Sequence, residues 1–162
     1  MSRTVHPAPL QAVAIAGRTS SGDAMHAQRS LERAQLAAEM GKWPTALLLA
    51  RTALDAVPDE PGALSLYGLC LAHTGGDLAT ALAACRRAVE SQPYAAQWHA
   101  HLGAVYRAAG LAPQAAACFR AALSLDPREP LAAQALEGRG RAARLRDWLG
   151  RRRRRRAALR PA

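Results

Sequence analysis

Few side chains in this 162-residue chain could do chemistry, and their spacing argues against most of it. Cys70, Cys85 and Cys118 are odd in number, show no C-x-x-C spacing, and each falls among apolar helical positions. They read as small buried hydrophobes in a reducing compartment rather than as metal ligands or a disulfide framework. His99 and His101 lie two residues apart, so on a helix they project in different directions and make no metal pair. His6 and His26 lie in or beside the N-terminal leader. There is no G-x-S-x-G, no phosphate-binding loop and no arrangement of paired carboxylates. Acidic residues cluster in turns, where they suit helix N-termini. With no nucleophile beside a base, the residues predict no enzyme, cofactor, metal or small-molecule substrate.

The remaining candidate is the run Arg151, Arg152, Arg153, Arg154, Arg155 and Arg156. The net charge of +10 is not spread over the chain. Residues 27–129 carry nine basic and nine acidic side chains, whereas residues 130–162 carry eleven arginines against Glu137 and Asp147. The tail reads in three ways. As a solvated block of like charge it needs no partner. As an anion-binding arm it would neutralise nucleic-acid phosphates, with a salt slope of roughly −0.7 to −0.9 per contact. It has no interleaved aromatics with which to read bases. As a membrane-surface element it would insert Trp148 and Leu149 while the arginines meet acidic lipid.

The elements behind these residues are helices. Half the residues are apolar but only 4% aromatic, and about a quarter are alanine. Alanine is the best helix former and lets helices approach closely, while Val, Ile and Thr are scarce, which speaks against a sheet. A skeleton then recurs every 34 or 35 residues: a small residue (Ala34, Gly68, Gly103), a glycine seven later (Gly41, Gly75, Gly110), two alanines (Ala46 and Ala53, Ala81 and Ala88, Ala115 and Ala122) and a proline (Pro58, Pro93, Pro127). A fixed period of this length marks stacked units that cover one another's apolar faces. The pattern predicts helix pairs at 26–40 with 44–57, 62–74 with 78–91, and 95–109 with 112–125. Each pair's first helix ends at a glycine, and Pro44 and Pro113 sit in first turns. The middle unit's extra residue falls in the turn Gly75-Gly76-Asp77.

The flanks follow from the same pattern. A fourth unit fails, because Glu137 and Gly140 stand where a small and a large residue are wanted. Residues 130–149 therefore read as a capping helix, and 150–162 as an arginine-rich tail. Residues 1–25 read as a disordered leader. Its apolar run Leu10 to Ala16 is short for a signal sequence, interrupted by Gln11 and preceded by Pro7 and Pro9. No stretch approaches membrane-span length, and the expected compartment is the cytoplasm.

The units resemble the tetratricopeptide repeat, which runs W-x2-L-G-x2-Y, then A-x3-F, then P. The third unit (96–129) matches with Leu102-Gly103, Tyr106, Gly110, Ala115, Phe119, Ala122 and Pro127, although Trp98 sits one residue early. The second (61–95) has Tyr67-Gly68, Leu71, Gly75, Ala81, Cys85, Ala88 and Pro93. The first (27–60) is degenerate, with Arg33 in place of the usual leucine, as befits a unit facing solvent on one side. The resemblance implies an all-α, right-handed superhelical stack of three helix-turn-helix pairs over 26–129, closed by the capping helix.

It also implies a concave groove lined by the first helix of each unit. Carried over by offset from the small residue, the lining is Leu31, Gln35, Ala38 and Glu39, then Ser65, Leu69, Ala72 and His73, then Ala100, Ala104, Arg107 and Ala108. The lysine and asparagine clamp that some relatives use for chaperone carboxylates is missing: Lys42 is the one lysine and there is no asparagine. The implied role is an adaptor or scaffold that binds a peptide or helix of another protein. Two alternatives are a secretion chaperone for an apolar client, suggested by size and repeat count, and a nucleic-acid or anionic-membrane adaptor working through the tail. The leader or a second copy could also cover the groove.

Overall fold

The computed structural model describes residues 20–138. Its six principal helices form three antiparallel pairs: α1 (Ser21–Glu39) with α2 (Trp43–Ala56), α3 (Pro61–Thr74) with α4 (Leu78–Ser91), and α5 (Ala96–Ala108) with α6 (Ala112–Leu125). A further helix, α7, runs over 130–138. Successive pairs pack through α2 on α3, α4 on α5, and α3 on α1 and α5, so α1, α3 and α5 line up on one face. The rest of the leader (1–19), the rest of the predicted cap (139–149) and the arginine tail, with Arg151 to Arg156, lie outside the described residues.

Helix ends follow local chemistry. The first helices give way to turns at Gly41, Gly75 and Gly110, with φ of 72°, 71° and 75°. Around Gly110 the amide of Gly110 bonds the Arg107 carbonyl and that of Leu111 reaches back to Tyr106, which closes a Schellman motif. A Cβ at Gly75 would meet nothing within 4 Å, so the objection to a side chain there is purely conformational. Gly75→Ala should cost about 1–2 kcal/mol, read as a lower urea midpoint with unchanged helical circular dichroism.

Asp77 starts α4 by accepting from the amides of Ala79 and Thr80 at 3.1 and 3.0 Å. Pro44, Pro61 and Pro113 occupy first-turn positions, where a missing N–H goes unnoticed.

One boundary differs from expectation. α1 begins at Ser21, several residues before the predicted start at 26, because Ser20 and Asp23 form a reciprocal capping box. Residues 20–25, read as the end of the leader, thus belong to this cap and the first turns.

The small residues of the period sit where paired helices touch. A Cβ on Gly68 would lie 2.5 Å from Cys85 Sγ and 2.7 Å from the Ala81 carbonyl oxygen. A Cβ on Gly103 would lie 2.8 Å from the Phe119 ring. The first pair carries Ala34 and Ala50 at the matching positions, both fully buried. Each pair therefore balances a small residue against a partner whose size varies. Cys70 and Cys85 are fully buried and Cys118 is half-buried. Burial pushes the thiols of Cys70 and Cys85 up to about 12, so they are packing groups without nucleophilic character at neutral pH.

Arg33 is exposed where its counterpart Leu102 is buried, as a terminal unit requires. At the other end Ala132 of α7 is fully buried, with Leu131, Ala135 and Leu136 packed against the same core. The buried Glu129 carboxylate caps this helix by accepting from the Ala132 amide at 2.6 Å. Among the described residues no helix is long and apolar enough to cross a membrane.

Candidate peptide-binding face

Two adjoining pockets open on the face formed by α1, α3 and α5. The larger, about 420 Å³, is lined by Gln35, Ala38 and Glu39 of α1, Trp43 at the start of α2, Leu66 and Leu69 of α3, and Gln97 and His101 of α5. The smaller, about 180 Å³, is lined by Leu69, Ala72 and His73 of α3 with Ala104, Arg107 and Ala108 of α5. Leu69 belongs to both and forms the wall between them.

The offsets carried from the small residue thus place Gln35, Ala38, Glu39, Leu69, Ala72, His73, Ala104, Arg107 and Ala108 on this face. Three candidates fall elsewhere. Leu31 is packed in the core, and its Cδ2 lies 3.0 Å from where a Cβ on Gly62 would be. Ser65 and Ala100 are fully buried. All three precede the small residue by three positions, on the side of each first helix that the next pair covers.

Four lining residues carry no signal in those offsets: Trp43, Leu66, Gln97 and His101. Leu66 and His101 share one register position, two before the small residue, and that coincidence is the clue available in the sequence. Trp43 comes from a second helix, which an offset along first helices cannot reach.

Side chains across the face hold one another. The rings of Trp43 and His73 stack with centroids 3.7 Å apart and planes 2° from parallel, tying the second helix of unit one to the first helix of unit two. Burial, with a smaller contribution from the Arg107 charge, lowers the His73 pKa. The Arg107 guanidinium in turn sits 5.6 Å from the Phe119 ring centroid.

His101 is almost wholly buried, and its Nδ1 shares a 2.8 Å hydrogen bond with the Ser65 hydroxyl. Ser65 also accepts, through its carbonyl oxygen, a 3.5 Å bond from the Cys85 thiol. Burial, with a smaller push from the His73 charge, drives His101 down to about 4, so the ring is neutral at physiological pH. His99 points elsewhere, its Nε2 lying 2.8 Å from the Pro93 carbonyl oxygen. The two histidines therefore share no ligand. Among the described residues no group of three or more His, Cys, Asp or Glu could hold a metal ion. The arrangement offers a surface for another molecule's side chains.

The family model described as tetratricopeptide repeat matches residues 31–96 and 102–148. No protein of curated function matches the chain in sequence. Solved structures similar to it include the first tetratricopeptide domain of Spaghetti (RPAP3) bound to an HSP90 peptide, at 20% identity and a TM-score of 0.61, over 74% of this chain and 94% of that one. The TPR2B domain of yeast Sti1 in complex with an Hsp70 peptide aligns at 19% identity and a TM-score of 0.56, over 70% and 90%. An O-GlcNAc transferase mutant of Thermobaculum terrenum aligns at 30% identity and a TM-score of 0.63, covering 70% of this chain but only 22% of that enzyme.

Proposed function

The chain belongs to the tetratricopeptide repeat family, and on that premise we propose that it is a non-enzymatic interaction module whose α1–α3–α5 face holds a peptide or helix of another protein. The observation that carries this reading is the pair of contiguous pockets on that face, with an apolar floor (Leu66, Leu69, Ala72, Ala104) and a sparse polar rim. Side-chain anchors dropped into such pockets, with a few polar groups to orient them, are how grooves of this kind take up a segment. Two of the similar folds were solved with chaperone-derived partners, which supports a peptide ligand in general. The clamp lysines and asparagines of chaperone recognition are missing here, so the partner differs in chemistry. Polar rim groups at Gln35, Glu39, Gln97 and Arg107 favour a segment with charged side chains over a wholly apolar client.

Filling the smaller pocket tests this. Ala108 lines this pocket and is exposed, so a glutamate there leaves the core intact. A random heptapeptide library panned on the full chain should enrich binders that lose at least tenfold in affinity on the Ala108→Glu chain, with circular dichroism and Tm unchanged. Binders that hold the variant equally well would remove the face from consideration.

A further inference from the structure

The larger pocket has a polar inventory of one sign. Among the described residues Glu39 is its only charged lining residue, joined by the amides of Gln35 and Gln97 and the imidazole of His101. No side chain of Gln35, Glu39 or Gln97 makes a hydrogen bond or ion pair with another described residue; the ion pair among those residues joins Arg87 and Asp59. His101 adds a second, independent feature. Its Nδ1 is taken by Ser65, and no hydrogen bond engages Nε2 among the described residues. Since no side-chain nitrogen or oxygen sealed from solvent lacks a partner among the described residues, Nε2 of this almost wholly buried ring keeps some exposure, and His101 lines the larger pocket. Four polar groups thus converge over a floor of Ala38, Leu66 and Leu69, with the Trp43 ring at one side.

The smaller pocket has the opposite sign. Among the described residues Arg107 is its only charged lining residue and has no carboxylate partner. Its guanidinium is steadied against Phe119. His73, beside it, is held toward its neutral form. The two pockets share Leu69 and both span α3 and α5, so they are displaced along those helices; the six residues from His101 to Arg107 rise about 9 Å. An extended chain advances about 3.3 Å per residue, so side chains two or three residues apart would enter the two pockets.

We propose that this face reads a charge-polarised segment of a partner protein, taking an arginine or lysine side chain between Glu39, Gln35, Gln97 and His101 Nε2, and an acidic side chain two or three residues away at Arg107. This rests on the peptide-binding reading above and gives it a chemistry. A basic side chain is the occupant that satisfies the pocket on every count. Its aliphatic stem covers the Leu66–Leu69 floor and Trp43, while its donors meet a carboxylate, two amide oxygens and, in the tautomer whose Nδ1–H donates to the Ser65 hydroxyl, the Nε2 lone pair of His101. The roughly 420 Å³ available accommodates one long side chain, whereas the roughly 180 Å³ beside Arg107 suits a short one.

The test is a random heptapeptide library panned in parallel on the full chain, on Glu39→Lys and on Arg107→Glu. Both substituted residues are exposed, so the fold is kept, and circular dichroism verifies that. Peptides from the unsubstituted chain should carry a basic residue two or three positions from an acidic one. Those peptides should lose at least tenfold in affinity on either variant. The Glu39→Lys chain should enrich an acid in place of the base, leaving the other position unchanged, and Arg107→Glu should do the converse. Peptides without a charge preference would overturn the polarity and leave peptide binding standing. Recovery of no peptide would overturn both. Self-association of the full chain that Glu39→Lys abolishes would identify a second copy's basic segment as the occupant and overturn the assignment to a partner protein.

Discussion

Phe119→Ala is expected to be the most damaging single substitution in the array, lowering stability by about 3–5 kcal/mol. Phe119 is the chain's single phenylalanine and is almost wholly buried where α6 meets α5. The three atoms nearest to an added Cβ at Gly103, at 2.8, 2.9 and 3.2 Å, all belong to its ring. Gly103→Ala should therefore also destabilise, by about 1–3 kcal/mol, despite the gain of up to ~1 kcal/mol that alanine brings inside a helix. The two changes should not add. A smaller side chain at 119 makes room, so Gly103→Ala combined with Phe119→Leu should be less destabilised than the sum of the singles, by about 0.5–3 kcal/mol of coupling.

Gly68 gives the contrasting case. There the obstacles are Cys85 Sγ at 2.5 Å and the Ala81 carbonyl oxygen at 2.7 Å. Trimming the thiol with Cys85→Ala removes only the first, because the second is backbone and cannot be mutated away. Gly68→Ala should stay destabilised with or without Cys85→Ala. Urea midpoints for the four chains at each site measure both couplings. Additive effects at 103, or full rescue at 68, would mean that these glycines are not set by the helix contacts described above.

The contrast also explains how much of the fold was legible in the sequence. The period records helix-to-helix contacts that recur, so α4 and α6 fall where it placed them and α3 and α5 within a residue at each end. Local chemistry that does not recur lies outside such a pattern. The capping box of Ser20 and Asp23 occurs once, and it carries α1 back into what composition alone marks as leader. Prolines and glycines punctuate well because each acts on its own backbone. A reciprocal side-chain cap needs two residues read together.

The binding face was legible only in part, for a geometric reason. An offset along one helix says which way a side chain points but not how near the next pair comes. Gln35, Leu69 and Ala104 point at the face and reach it. Leu31, Ser65 and Ala100 point close by and are covered. The two-residue spacing of His101 from His99 says only that its side chain projects in a different direction. Its actual place, bonded to Ser65 across the α3–α5 contact, joins residues 36 positions apart. No local spacing announces such a pair, although Leu66 at the same register position hints that the site faces the larger pocket.

That buried pair makes stability pH-dependent in a defined window. In the unfolded chain His101 titrates near 6.5, whereas in the fold burial holds it down to about 4. The folded state resists the proton that the unfolded state accepts. The stability this represents is therefore fully present above pH 6.5, declines as pH falls through the interval, and is exhausted near pH 4. The interval corresponds to about 3 kcal/mol, by the equivalence of one pKa step to about 1.4 kcal/mol. Asp77, also held below its ordinary value by bonds from Thr80 and Ala79, adds acid sensitivity only at lower pH. To isolate the histidine, Ser65→Ala and His101→Leu remove the hydrogen bond from both sides, leaving neither group unpartnered. Leucine is already tolerated at this register position as Leu66. Urea midpoints between pH 7.5 and 4.5 should fall steeply for the unsubstituted chain and much less for the double variant, with the two most alike at the alkaline end. The His101 ring resonances should show no titration until the pH approaches 4. Parallel stability curves, or a ring that titrates near 6.5, would mean that water reaches His101 far more freely than its burial between α3 and α5 allows.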